Sequence, residues 1–127
     1  MKQAVIYSCH LEKRENEPDN ELQIALCKEY AERNGIEIVG NYMDRVATKK
    51  EPLLMKRLLL RECRKLQLCD MLLFSSMSVL GRDIKETMKF LTELSKYVDY
   101  KIIDQENDKL MNEIGKLLKA LYKENRL

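Results

Sequence analysis

The side chains able to do chemistry in this chain fall into four groups. Ser8, Cys9 and His10 follow one another directly after a short apolar run, Gln3 to Tyr7. Ser75, Ser76 and Ser78 follow a second apolar run, Met71 to Phe74, and lead to Gly81, Arg82 and Asp83. A basic stretch runs from Arg45 to Lys65. It holds eight cations (Arg45, Lys49, Lys50, Lys56, Arg57, Arg61, Arg64, Lys65) and two acids (Glu51, Glu62), a local charge of +6. The four cysteines are Cys9, Cys27, Cys63 and Cys69.

Each group has a sharp reading and a plain one. A serine becomes a nucleophile only beside a base that takes its proton, so Ser8 is a displaced nucleophile or an ordinary small residue at a strand end. Cys9 and His10 are adjacent, and adjacent residues on an extended strand point to opposite sides, which argues against a thiol–imidazole pair. The three serines either donate to a phosphate or satisfy turn backbone. Arg82 either binds phosphate or forms a structural ion pair. The basic stretch, with Arg45, Lys49, Lys50, Lys56, Arg57 and Arg82 as its candidate nucleic-acid contacts, either faces phosphates or forms a solvated helix face. The cysteine spacings of 18, 36 and 6, with one histidine in the chain, fit no zinc pattern. No metal or cofactor is expected, and the cysteines read as reduced residues of a cytoplasmic protein.

These groups need a scaffold, and the chain has the composition of one. It holds 127 residues, 45% hydrophobic and 35% charged, with a net charge of +2. That length suits one domain spanning residues 1–127, with no appended DNA-binding domain, and the balance excludes a disordered chain. The N-terminus lacks a signal-peptide pattern, and no apolar run approaches the roughly 20 residues of a membrane span.

Strand-like runs occur at 3–7, 36–39, 71–74 and 100–103. Helical periodicity is carried by Leu22, Ala25, Leu26 and Tyr30; by Leu54, Leu58, Leu59 and Leu66; by Ile84, Met88, Leu91 and Leu94; and by Leu110, Ile114, Leu117, Leu118 and Leu121. Asp19 or Asn20 can cap the first helix, and Asn34-Gly35 ends it. Residues 41–53 are polar, contain Pro52 and read as a loop. Strand and helix therefore alternate four times. The expected fold is α/β, a mostly parallel sheet flanked by helices, with a long C-terminal helix. In such sheets the site lies at the carboxyl ends of the strands, here residues 8–10, 42–48, 75–82 and 104–107. The apolar stripe of the last helix is the candidate dimerisation seam, shared with packing onto its own sheet.

Several residues then fall into one known pattern. The stretch from Cys69 to Asp83, an apolar strand followed by Ser78-Val79-Leu80-Gly81-Arg82-Asp83, is similar to the strand and Asp-Arg-Leu-Gly-Arg-Asp of the resolvase/invertase serine recombinases. Gln23, Cys27, Tyr30, Ala31, Gly35 and Asp44 fall where that family has the same residues. Strand-Tyr7 resembles its strand-Tyr-x-Arg-Val-Ser opening. The resemblance covers almost the whole chain and implies that family's catalytic-domain fold, with a last helix that drives dimerisation.

The departures bear on activity. Counting from Tyr7, the family's nucleophilic serine corresponds to Leu11, which has no oxygen to form a phosphodiester intermediate. Cys9 stands at the family's preceding arginine. Ser78 and Val79 stand at its Asp and Arg, and Glu51, beside Pro52, stands at a further arginine. Of the expected guanidinium clamp only Arg82 remains, so the charge that builds on a phosphate in transit has little to stabilise it. Three readings follow. The first is a catalytically inactive recombinase-like protein that forms a homodimer, or a heterodimer with a related recombinase. The second is a recombinase or fragment with a rearranged centre that uses Ser8 and Arg82. The third is a nucleic-acid-binding module that uses residues 45–65.

Overall fold

The computed structural model describes residues 1–12, 19–48, 50–80 and 84–103. In chain order the elements are β1 (Gln3–Leu11), α1 (Asn20–Arg33), β2 (Glu37–Val46), α2 (Leu54–Lys65), β3 (Met71–Phe74), a 3-10 turn (Met77–Val79), α3 (Ile84–Leu94) and β4 (Asp99–Ile102). The four strands form one sheet in the order β2-β1-β3-β4, and every pairing is parallel. The α/β alternation read from the sequence is thus the architecture. The expected last helix, with Leu110, Ile114, Leu117, Leu118 and Leu121, lies outside the described residues, as do Lys49 and Arg82.

Two of the strands are longer than their apolar runs. β1 continues four residues past Tyr7, and β2 continues from Val39 to Val46 through residues that read as loop. The two strands stay paired from Gln3–Glu37 to Leu11–Val46, while β3 stops beside Tyr7. A bulge between Ala4 and Val5 gives β2 one extra residue. Past it, Tyr42, Asp44 and Val46 lie opposite Tyr7, Cys9 and Leu11 and share their side of the sheet. Polar residues therefore stand on the inner side of this extension, and polarity is what made it read as loop.

The sheet separates two apolar layers. On one side Val5, Tyr7, Leu72, Phe74 and Ile102 pack with Leu59 and Cys63 of α2 and Phe90, Leu91 and Leu94 of α3. On the other, Ala4, Ile6 and Leu73 pack with Cys27 and Ala31 of α1. Leu22 and Leu26, expected on the inner stripe of α1, are exposed. The buried stripe is Gln23, Cys27 and Ala31, because a helix this close to a sheet takes small side chains and one anchored amide. Leu54, Leu66 and Ile84, expected on the inner stripes of α2 and α3, are likewise exposed, leaving Leu59 and Cys63, then Thr87, Phe90, Leu91 and Leu94, to face the core. Asp19 caps α1 by accepting from the Leu22 amide, and Gly35 ends that helix at φ +65°, a conformation open to glycine. Among the described residues no helix is long and apolar enough to cross a membrane.

Candidate functional site

The carboxyl ends of β1, β2 and β3 meet at one end of the sheet, and two polar assemblies hold them. The first is built on Asp44. Its carboxylate is buried and accepts three hydrogen bonds: from the Tyr7 hydroxyl at 2.7 Å and from the backbone amides of Met55 and Lys56 at 2.9 Å each. Leu53, the residue at the α2 N-cap, offers no side-chain cap. Asp44 does that work from the neighbouring strand, placing a negative charge on the positive end of the helix. Burial, then the neighbouring Cys9 and Asp44, holds the Tyr7 phenol far above its ordinary pKa. Tyr7 is therefore a neutral hydrogen-bond donor.

The second assembly is Gln23. β1 outruns β3, so the backbone of Cys9 has no strand beside it on that flank. The Gln23 amide fills the gap. Its Oε1 accepts from the Cys9 amide at 2.9 Å, and its Nε2 donates to the Cys9 carbonyl at 2.7 Å. A buried strand end would otherwise carry two unsatisfied groups.

The chemical candidates sit around this frame. Ser8 is fully buried on the α1 side, and its hydroxyl has no hydrogen-bond partner among the described residues. None of those residues is a base bonded to it that would activate an oxygen nucleophile. Cys9 and His10 do fall on opposite sides of the sheet. Cys9 packs against the α2–α3 layer, and the His10 Nδ1 is buried without a partner among the described residues. Leu11 is buried, in register with Val46. Ser76 and Ser78 hydrogen-bond each other through their hydroxyls at 2.8 Å, whereas the buried Ser75 hydroxyl has no partner among the described residues. Val79 belongs to the core, and the Leu80 beside it is fully buried. Among the described residues no group of three or more His, Cys, Asp or Glu could hold a metal.

The basic segment does not form a single stripe. Arg45 is exposed and lies 3.6 Å from Glu12. Lys56 turns inward: its ammonium donates to the Leu80 carbonyl and stands 4.6 Å from the centre of the Phe90 ring. Arg64 bridges to Glu93 on α3 at 2.8 Å. Lys50 and Arg57 are exposed and line a cleft of about 590 Å³ between α2 and α3. The resemblance picks out Asp44 and Gln23 as pattern residues, but sequence reasoning assigned neither a role. The signals were a lone acid two residues from a strand tyrosine and a glutamine on the inner stripe of a helix. Neither has meaning until the strand lengths are known.

The family model described as "Resolvase, N terminal domain" matches residues 12–125. No curated protein matches the chain. Among solved structures, the fold is similar to a resolvase family site-specific recombinase from Streptococcus pneumoniae (21% identity, TM-score 0.70, 98% of this chain and 90% of that one). It is similar to the N-terminal catalytic domain of TP901-1 integrase (19% identity, TM-score 0.68, 98% and 97%). It is also similar to the C-terminal catalytic domain of ISC1926 TnpA, an IS607-like serine recombinase (19% identity, TM-score 0.64, 88% and 77%).

Proposed function

This chain belongs to the resolvase N-terminal domain family, and from that premise we propose that it keeps the family's scaffold without its strand-transfer chemistry and acts through contact with another protein. One observation carries the reading. The residues that match the family pattern hold the fold together: Tyr7 and Asp44 tie β1 and β2 to α2, Gln23 clamps β1, Cys27 and Ala31 fill the α1 layer, and Gly35 ends α1. The residues that depart from it are the ones that the resemblance sets against the family's chemistry. Leu11 and Val79 are not merely inert there. Both are buried, which supports apolar packing at the positions where the resemblance expects a hydroxyl and a guanidinium. Glu51 is exposed and brings a carboxylate where the resemblance expects an arginine, which takes one cation from the expected clamp.

The contact function follows from what remains. A fold whose charge clamp is gone still presents surfaces, and the stripe of Leu110, Ile114, Leu117, Leu118 and Leu121 gives it a seam for a second copy or for a related recombinase. Incubation with supercoiled plasmid tests the loss of chemistry. The expected result is unchanged topology across protein concentrations, from protein whose folding is verified by circular dichroism. Relaxed or linear product that depends on Ser8 would replace this reading with a rearranged active centre.

A further inference from the structure

We propose that the cleft between α2 and α3 binds a phosphorylated nucleoside, a compact anion with an organic body. This proposal is independent of the lost strand-transfer chemistry. The cleft encloses about 590 Å³, inside the roughly 300–1,000 Å³ range of organic-ligand sites. Lys50 lines it just before α2, Arg57 on the α2 wall and Lys89 on the α3 wall, and none of the three has a partner among the described residues.

The acids of the cleft are already engaged. Glu93 is held by Arg64 at 2.8 Å and by Lys96 at 2.8 Å. The Glu51 carboxylate accepts from the Ala47 amide at 3.2 Å, and Glu86 also has an interaction. Lys56, fixed on the Leu80 carbonyl and the Phe90 ring, adds positive charge from below. Lys50, Lys56, Arg57, Arg64 and Lys89 line the cleft against Glu51, Glu86 and Glu93, so the concave site carries a net charge of +2, which concentrates anions. An arginine fork and two flexible ammonium groups suit phosphate oxygens.

Two features select the body of the ligand. Pro52, Leu53 and Leu60 are at least partly exposed and give the cleft an apolar surface that a bare inorganic ion would leave uncovered. The Arg64–Glu93 ion pair joins α2 to α3 at the far end of the cleft, about two helical turns from Arg57. A compact ligand held between Lys50 and Arg57 leaves that bridge intact. The same chemistry is offered by a free nucleotide and by the phosphorylated end of a nucleic-acid strand.

The test is a titration of the 15N-labelled full chain at low salt, followed by NMR, with ATP, tripolyphosphate, adenosine, a 5′-phosphorylated single-stranded hexanucleotide and a hexaglutamate peptide. ATP is expected to move the amide resonances of Lys50, Arg57 and Lys89 and to bind more tightly than tripolyphosphate or adenosine. Arg57→Gln and Lys89→Gln should each weaken ATP by about fivefold or more, while Arg61→Gln, outside the cleft, leaves it unchanged. Tighter binding of the hexanucleotide assigns the site to a strand end, and tighter binding of ATP assigns it to a free nucleotide. Absence of shifts at millimolar ATP, equal weakening by Arg61→Gln, or tightest binding by hexaglutamate would overturn the proposal.

Discussion

Replacing Asp44 with alanine should be the most damaging single change at the carboxyl end of the sheet. The carboxylate accepts from Tyr7 Oη at 2.7 Å and from two α2 amides at 2.9 Å. Its removal leaves the hydroxyl of a fully buried tyrosine without its acceptor, at about 1–3 kcal/mol. It also uncaps a helix that has no side-chain cap at Leu53, at about 1 kcal/mol, and water reaching the helix end recovers part of that loss. The combined cost is about 3 kcal/mol, a large share of the ~5–15 kcal/mol that holds a domain together. With a urea slope of about 1.5 kcal/mol/M, the midpoint falls by about 2 M. Asp44→Asn loses the charge opposite the helix dipole and turns one of the two acceptor oxygens into a donor, so a cost close to that of Asp44→Ala is expected. Tyr7→Phe removes one bond and should cost about 1–2 kcal/mol. The double variant should be less destabilised than the sum of the singles by about 1 kcal/mol, because both delete one interaction. Amide exchange adds a local reading: Met55 and Lys56 should lose protection in Asp44→Ala and retain it in Tyr7→Phe. A loss below about 1 kcal/mol in Asp44→Ala, or strict additivity of the two singles, would refute the remote-cap account.

Three other outcomes are expected. Gln23→Ala should destabilise by about 2 kcal/mol and deprotect the Cys9 amide in hydrogen exchange, since two backbone groups lose their partner; an unchanged Cys9 exchange rate would contradict the clamp. Burial pushes the Cys27 thiol up to about 12 and that of Cys63 up to about 11, so at pH 8 neither should react with iodoacetamide in the folded protein, and both should react in urea, as mass spectrometry would reveal. The hydrogen bonds from Lys96 and Arg64 hold the Glu93 carboxyl below its ordinary value. A depressed folded pKa means that this contribution is present at neutral pH and is lost as pH falls through the acid range below the ordinary carboxylate pKa. Glu93→Gln should therefore flatten the acid side of the stability profile, and a profile that superimposes on the parent's would count against the pairing.

The alternation of strands and helices was legible because apolar runs and helical spacing record which face each element buries. The strand ends were not. The extension of β1 and β2 beyond the sheet centre is held by a side-chain amide and by cross-strand pairing, and its inner face carries Tyr42 and Asp44, residues that single-sequence patterning assigns to loops. The stripe of α1 was misplaced for a related reason. Gln23 is buried because it hydrogen-bonds backbone, while Leu22 and Leu26 stay exposed. Charge was the least legible property. Eight basic residues in twenty-one read as one patch, yet Lys56 folds inward, Arg64 bridges two helices and Arg45 pairs with Glu12. Only the packing of α2 against α3 shows that Arg57 and Lys50 share a cleft with Lys89, a residue 32 positions beyond Arg57.

The central claim is that this fold has kept its frame and lost its nucleophile. The measurement that reaches it most directly is a covalent trap: nicked suicide duplexes and supercoiled plasmid incubated with the folded chain, resolved on denaturing gels, with intact-mass analysis of the protein. Protein of unmodified mass and no protein–DNA band are expected, in the parent and in Ser8→Ala alike. A covalent adduct mapped to a residue of this chain would contradict it, and loss of that adduct in Ser8→Ala would identify the nucleophile.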